Sequence, residues 1–386
     1  MTSSSTLPAE LPIAAERAGA IDLRLATAAD DGEIRALLAG APVEGPIVLS
    51  YEREPDYFLG CSVMGRRVDT LVARLRSTGE LVGLATRAVR PLWINGKVQD
   101  VGYLGHLRVS PRYRGRSLVQ RGFRLLRSLD GHTLPGYVTT IVEGNVEALG
   151  VLVRRSRPGM PAYRERCRVR TLVIPTLHAS RARRGVPVEV SGAAPEQPGP
   201  IVEFLRRVGR ERQFFPAYEA ADFLPGSGLT RGFEAGNFLV AMRNGDIAGV
   251  LGVWDQSAFK QVVVRGYRGL LACLRPIVAR TAHLGGYPAP PRPPALLRIA
   301  YASFLAIEGD RTDTFAALLA AARDRAARLG CDYLTLALAD GDPLLPSAQA
   351  LPHRTYASRL FTVDWRAGGF HDEVARGIPY VDIASF

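Results

Sequence analysis

Apolar and polar positions change their period along the chain, and each change marks an element. Ile21–Leu25 alternates apolar with polar residues, the period-two pattern of a short strand. Ala29, Asp30 and Asp31 precede a helical spacing through Ile34, Leu37 and Leu38, with an aspartate placed to cap it. Gly79-Glu80 reads as a turn between the strands Thr70–Leu75 and Leu81–Val89. Asn95-Gly96 is a clearer one, because that pair tolerates positive φ at both turn positions. Strands flank it, the second ending in Val98–Val109. The period then lengthens to a helical stripe at Leu118, Gly122, Leu125, Leu126 and Leu129. Gly136 opens another strand, Tyr137–Val142, and Asn145 starts a helix carrying Ala148, Leu149 and Leu152. An arginine-rich strand pair leads to Val173-Ile174-Pro175.

Periodicity fades from Ser180 to Pro200 into Arg, Gly, Pro and Ala, the composition of a linker. The order then repeats. Phe204–Val208 is helical, Phe238–Met242 and Ile247–Trp254 are strands around Asn244-Gly245, and Leu297–Ile307 is a further strand. A long helix follows with Phe315, Leu318, Leu319, Ala322, Ala326 and Leu329 on one face, then Gly330 as its cap and the strand Tyr333–Ala337. Arg268–Ala295 has no counterpart in the first half, and its Pro288–Pro294 end reads as a surface excursion. The expectation is a mixed-sheet α/β (α+β) protein of two domains. A loose tail covers 1–19, the first domain 20–178, a linker 179–199 and the second domain 200–386.

Composition narrows the class. At 386 residues, with 47% hydrophobic and 22% charged content, the chain builds sizeable globular cores. No apolar run reaches the roughly 20 residues of a membrane-spanning helix, and Met1–Glu10 lacks the pattern of an export signal. Four well-separated cysteines (Cys61, Cys167, Cys273 and Cys331) form no CxxC pair, so no metal site and reduced thiols are expected. A cytoplasmic protein with no membrane partner follows. The formal charge of +12 is almost all arginine, because Lys97 and Lys260 are the only lysines. Those arginines are dispersed, which argues against a nucleic-acid partner while still favouring attraction of an anionic cofactor.

The chemistry concentrates in one strand–turn–helix: Leu107-Arg108-Val109, Ser110-Pro111, Arg112-Tyr113-Arg114-Gly115-Arg116-Ser117, then Leu118. Such a turn aims backbone N–H groups and a helix N-terminus at one point, which makes an anion site. Gly115 leaves room for a phosphate to approach the backbone, and Arg112, Arg114 and Arg116 add charge. No Gly-Lys-Ser/Thr follows, and the further glycines of a dinucleotide fingerprint are missing. The segment resembles the Gln/Arg-x-x-Gly-x-Gly/Ala signature of the GCN5-related N-acetyltransferases (the GNAT superfamily). Asn145 and Ala148 match the Asn-x-x-Ala that opens that family's next helix. The resemblance covers residues 20–178 and, in element order alone, 196–370, as in tandem GNAT proteins. It implies an acyl-CoA-binding GNAT domain at 20–178 and a degenerate GNAT-like one at 200–386. Acetyl-CoA or another acyl-CoA would be the co-substrate. Leu107, Arg108 and Val109 would guide the pantetheine arm, and Arg112 to Leu118 with Asn145 would hold the rest.

The family's peptide-acetylating members carry a Glu and a Tyr where this chain has Thr140 and Leu152, so a base must come from elsewhere. His106, beside the cofactor strand, has the right intrinsic pKa. Asp100 lies upstream on that strand, with a parity that shares the face of His106. Glu143 ends the next strand, and Tyr163 is a substitute for the missing tyrosine if the chain folds back over the site. Glu54, Asp56 and Tyr57, within the acidic and aromatic run Tyr51–Phe58, would suit a cationic amine. In the second half the equivalent loop, Ile307-Glu308-Gly309-Asp310-Arg311-Thr312-Asp313, would repel phosphates. The apolar segment Pro379–Phe386 reads as a docked tail whose carboxylate is a further candidate base. The expected activity is direct acyl transfer to a small-molecule or peptide amine in a ternary complex, with homo-oligomerisation left open. The rivals are an acyl-CoA-binding sensor or scaffold without turnover, and an aminoacyl-tRNA-dependent transferase.

Overall fold

In the computed structural model the described residues are 20–386 without 116, 131–132, 155–157, 178–188, 193–197 and 367. The tail 1–19, most of the 179–199 segment and Arg116 therefore lie outside the described residues. In the first half the strands are β1 (Ile21–Leu25), β2 (Ile47–Glu52), β3 (Arg67–Leu75), β4 (Leu81–Ile94), β5 (Lys97–Val109), β6 (Tyr137–Val142) and β7 (Ala162–Pro175). The helices there are α1 (Asp31–Ala39), α2 (Tyr57–Cys61), α3 (Leu118–Asp130) and α4 (Val146–Ala148). The second half contributes β8 (Glu189–Gly192), β9 (Phe215–Pro216), β10 (Phe238–Arg243), β11 (Asp246–Asp255), β12 (Gln261–Tyr267), β13 (Ala295–Leu296), β14 (Ile299–Ile307), β15 (Tyr333–Ala339) and β16 (Arg354–Asp364). Its longer helices are α5 (Gly199–Gly209), α6 (Gly269–Thr281) and α7 (Thr312–Arg328).

The hairpin turns fall where turn chemistry puts them. Asn95 and Gly96 take φ of 53° and 75°, and Asn244 and Gly245 take 53° and 88°. The acidic and aromatic run Tyr51–Phe58 divides between two elements: Tyr51 and Glu52 complete β2, and α2 starts at Tyr57, capped by Asp56. Asn145 caps only the short α4, which continues as a π-helical segment, Leu149–Arg154.

Both halves share one continuous sheet, in the order β1-β3-β4-β5-β6-β16-β7-β15-β14-β11-β10-β8, with β9 on β4. The last strands are exchanged. β16 of the second half lies between β6 and β7, pairing Phe361 with Thr139 and Leu360 with Cys167. β7 of the first half crosses to β15, pairing Thr335 with Val173. A smaller sheet, β13-β12-β2, ties the halves again through antiparallel pairs such as Gln261 with Glu52.

Each half repeats one irregularity. β5 and β6 run parallel but pair only at Gly102–Tyr137 and Tyr103–Val138, then diverge. β14 and β15 do the same after Tyr301–Thr335. On the other side, β4 meets β5 with a register shift between the Thr86–Gly105 and Leu84–Arg108 pairs, and β11 meets β14 with one between Gly252–Ser303 and Val250–Ala306. The residues inside these bulges, His106 and Phe304, have φ of 53° and 57°. Bulges re-aim side chains and release backbone groups from the ladder, so the strands of each half splay apart into a notch in the sheet.

Candidate active site

The first-half notch leads straight into the glycine-bearing turn. β5 ends at Val109, Ser110 N–H donates to the Val82 carbonyl (2.9 Å), and Pro111–Tyr113 form a 3-10 turn. Tyr113 is 3% exposed and packs with Ile21, Leu75, Val82 and Leu118, so it anchors the turn from below. Gly115 then takes φ of 78° and Ser117 57°, a left-handed path on which glycine is unstrained. A Cβ on Gly115 would meet no atom within 4 Å, so the surface above it is open. The helix α3 begins at Leu118, and its first-turn N–H groups have no partner within the helix, leaving an electropositive end over the turn. Arg112 lies over the Tyr113 ring at 5.7 Å, and Arg114 pairs with Glu147 at 2.8 Å. Asn145 accepts from Ala148 N–H at 3.0 Å, which makes it the cap of α4. Arg108 donates to the Leu107 carbonyl at 3.0 Å, and burial lowers its pKa.

His106 fills the bulge. Its Nε2 lies 3.3 Å from the Arg53 guanidinium and its Nδ1 3.0 Å from the Tyr57 hydroxyl. Arginine only donates, so the network assigns Nε2 as acceptor and Nδ1–H as donor to Tyr57, whose hydroxyl donates onward to Thr86. Burial holds the imidazole well below its ordinary pKa, and the charges of Arg53, Arg108 and Lys260 push the same way. It is therefore neutral near pH 7. The Tyr57 phenol is raised well above its ordinary value by burial.

Behind His106 lies a cationic interior that pattern reasoning overlooked. Arg53 is 4% exposed and donates to the Glu52 carbonyl at 3.2 Å and to a carboxylate oxygen of Phe386 at 3.1 Å. Lys260 is also buried; its Nζ donates to the Ile383 and Ala384 carbonyls and stands 4.5 Å from the centre of the Tyr301 ring. Burial lowers the Lys260 pKa well below its usual value. The Phe386 ring stacks on Tyr103 at 4.2 Å, and the Tyr103 hydroxyl reaches Thr140 at 3.2 Å. Thr140 is thus occupied by a strand neighbour. A signal existed for two of these residues. Lys260 is one of two lysines in the chain, and Arg53 is the one cation inside Tyr51–Phe58.

The remaining residues singled out from sequence spread apart. Asp100 is exposed opposite Pro91, about 20 Å along the strand from His106 at the usual rise. The bulge also interrupts the alternation on which a shared face depended. Glu143 pairs with Arg168 at 2.5 Å and with Arg359 at 3.8 Å. Glu54 pairs with Arg35, and Asp56 accepts from Leu59 N–H at 2.8 Å. Tyr163 packs edge-on to Phe123 and Phe361, where burial raises its pKa, and Leu152 joins the same apolar cluster. Of this set, the structure brings His106 and Tyr57 together beside Leu107–Val109. A cavity of about 310 Å³ lies elsewhere, lined by Glu165, Arg166, Gln213 and Arg376. Its Arg166 is spent on the carbonyls of His371, Val374 and Ala375. Among the described residues no cluster of three His, Cys, Asp or Glu side chains could hold a metal ion.

In the second half the equivalent notch is closed. Phe304 is fully buried among Trp254, Phe233, Phe238, Phe223 and Tyr218, at centroid distances of 4.8 to 5.5 Å. The acidic loop ahead of α7 is tied to arginines: Glu308 to Arg207, Asp310 to Arg212, and Asp313 to Arg243 at 2.7 Å. Hydrogen bonds from Arg311 and Arg243 hold Asp313 well below the usual carboxylate range.

No protein-family model and no curated protein matches this sequence. The fold, by contrast, has clear likenesses among solved structures. A Saccharomyces cerevisiae N-myristoyltransferase with bound myristoyl-CoA aligns with a TM-score of 0.59 and 12% identity, over 95% of this chain and 82% of that one. A GCN5-related N-acetyltransferase from Sphaerobacter thermophilus gives 0.52 and 14%, over 95% and 98%. The glucosamine N-acetyltransferase region of a fungal multi-domain β-N-acetylglucosaminidase gives 0.55 and 14%, over 89% of this chain and 38% of that one. The fold is that of the GNAT acyltransferases, and the repeated notches are consistent with a tandem arrangement.

Proposed function

We propose that this chain transfers an acyl group from an acyl-CoA to an amine, by direct attack in a ternary complex at the first-half notch. The observation that carries this reading is the continuity of the bulge at His106, the strand end Leu107–Val109 and the open turn at Gly115 before α3. The pyrophosphate would lie against the N-terminus of α3. The pantetheine arm would replace the missing strand partner along Leu107–Val109, about 10 Å of extended backbone. Backbone N–H groups freed at the bulge would polarise the thioester carbonyl as negative charge develops on its oxygen. The amine nitrogen attacks that carbon, the C–N bond forms and the C–S bond breaks. The amine proton passes to His106 Nε2 as that atom exchanges its hydrogen bond from Arg53 for one to the amine, and returns from there to the departing thiolate.

Electrostatics set the state of the acceptor. Arg53 and Arg108 beside a buried notch disfavour an ammonium ion, so an entering amine is shifted toward its reactive neutral form. His106, itself held neutral, is the proton carrier we assign; Asp100 is distant and Glu143 is engaged by two arginines. The likeness to a myristoyl-CoA-bound enzyme brings long acyl chains, beside acetyl, into the range to be screened. The test combines calorimetry with acetyl-, decanoyl- and myristoyl-CoA and thiol release against an amine panel. Micromolar binding lost in Gly115→Glu, with turnover lost in His106→Ala, supports the reading. Absence of binding to every CoA species contradicts it.

One observation favours a second reading, an acyl-CoA sensor without turnover. By the resemblance in sequence, the positions that supply acid and base in the peptide-acetylating enzymes are Thr140, bonded to Tyr103, and Leu152, half-buried against an apolar cluster. A sensor would bind acyl-CoA, release no thiol with any amine, and lose nothing measurable in His106→Ala.

A further inference from the structure

We propose that the outer face of α6, with the sheet edge beside it, is a docking surface for an anionic phospholipid bilayer. The helix is amphipathic in the reverse of the usual sense. None of its residues is buried, and its apolar stripe faces outward: Leu270 is 73% exposed, Ile277 59%, and Leu284 in the following turn 79%. Leu274 shares the stripe. At 100° per residue these four side chains fall within an arc of about 80°. The half-buried positions, Leu271, Val278, Ala279 and Ala282, lie on the other side. The adjoining small sheet also exposes apolar side chains. Ile47 pairs with Tyr267, Leu296 pairs with Val263, and both Ile47 and Leu296 are exposed, as is Val43, which bridges to Leu49. An outward-facing leucine and isoleucine stripe of this kind marks an interaction site.

Charge selects the occupant. From Arg268 to Leu297, the stretch that carries α6, the sequence contains no aspartate or glutamate and four arginines, Arg268, Arg275, Arg280 and Arg292. Among the described residues, Arg280 in α6 and Arg292 in the adjoining loop are exposed and form no ion pair. Arg268, at the helix start, is exposed and pairs with Glu44. A leucine and isoleucine stripe rimmed by arginine is the pattern of an interfacial helix, which sinks its apolar face to the acyl boundary while its cations meet phosphates. A second copy docking face to face would set one arginine rim against another, and the carboxylate at this edge, Glu44, is already paired with Arg268. The bilayer satisfies both the apolar and the cationic demand. It also departs from the sequence-based expectation of no membrane partner, which rested on the lack of a spanning helix; none of the described helices is long and apolar enough to cross. The strand pair β2–β12 connects this face to the notch, running from Ile47–Tyr267 to Glu52–Gln261, about 20 Å. Docking would therefore hold the site near the headgroups.

Co-sedimentation of the full chain with vesicles tests the proposal. The expected result is binding to phosphatidylcholine vesicles containing about one-third phosphatidylglycerol, weakened by salt, and none to phosphatidylcholine alone. Arg280→Gln and Arg292→Gln should each lower partitioning about fivefold. Ile277→Glu should lower it by about tenfold or more. Leu284→Ser, at a more exposed position, checks that loss of binding is not loss of folding, with thermal melting as control. Equal binding to neutral and anionic vesicles, or binding to neither, overturns the proposal. So does a concentration-dependent dimer by light scattering that Ile277→Glu dissociates.

Discussion

The two halves build the same notch and fill it differently. At the centre of the first bulge stands His106, held neutral and hydrogen-bonded to Arg53 and Tyr57; at the centre of the second stands Phe304, sealed among five aromatic rings. The loops that follow diverge in the same direction. The first opens on Gly115 with arginines around it, whereas Glu308, Asp310 and Asp313 of the second are engaged by Arg207, Arg212 and Arg243. A shared backbone irregularity is thus a permission, and side chains decide whether it becomes a site or a strut.

The sharpest way to break this comparison is to place a carboxylate in each loop. Gly115→Glu sets negative charge where a phosphate would lie, and like-charge juxtaposition of this kind costs several kcal/mol. Acyl-CoA affinity should fall about hundredfold or more by calorimetry. Gly309→Glu, in the second loop at φ of 59°, should leave it within about twofold. Next in size is the exchange of the central residues. His106→Phe writes the second bulge into the first; turnover should fall about 10²- to 10³-fold with acyl-CoA affinity kept. The reciprocal Phe304→His puts a smaller, polar imidazole into a sealed apolar core and should cost about 3–5 kcal/mol in denaturant unfolding, with no gain of CoA binding.

A smaller effect comes from protons. His106 has a folded-state pKa below its unfolded value, so between the two the unfolded chain binds more protons than the folded one. Its contribution to stability is whole above about pH 6.5 and is lost as pH falls below that. Unfolding free energy should therefore decline on acidification by up to about 1.4 kcal/mol per pH unit from this one group. His106→Phe should flatten that slope. The smallest effect is at Asp100, exposed at the far end of β5, where Asp100→Asn should leave turnover within about twofold.

What could be read from sequence was what local chemistry writes. Asn95-Gly96 and Asn244-Gly245 announce hairpins because few residues accept two positive φ values. The turn around Gly115 is legible because strand end, glycine and amphipathic helix follow one another directly. The exchange of β7 and β16 was not legible, since both are arginine-bearing strands whose partners are chosen by the whole sheet. Nor was the cationic interior. Arg53 and Lys260 are 207 positions apart in the chain and meet through the β2–β12 pairing and the segment ending at Phe386. The bulge at His106 hid for a related reason: alternation predicts faces only where the ladder is regular, and here the useful residue sits where it is not.

The central claim is asymmetry, one working notch in a two-notch protein, and stoichiometry tests it most directly. Titration of the full chain with an acyl-CoA should give one site per chain, abolished by Gly115→Glu and untouched by Gly309→Glu. Two sites per chain, or one site that survives Gly115→Glu and disappears with Gly309→Glu, would contradict the account.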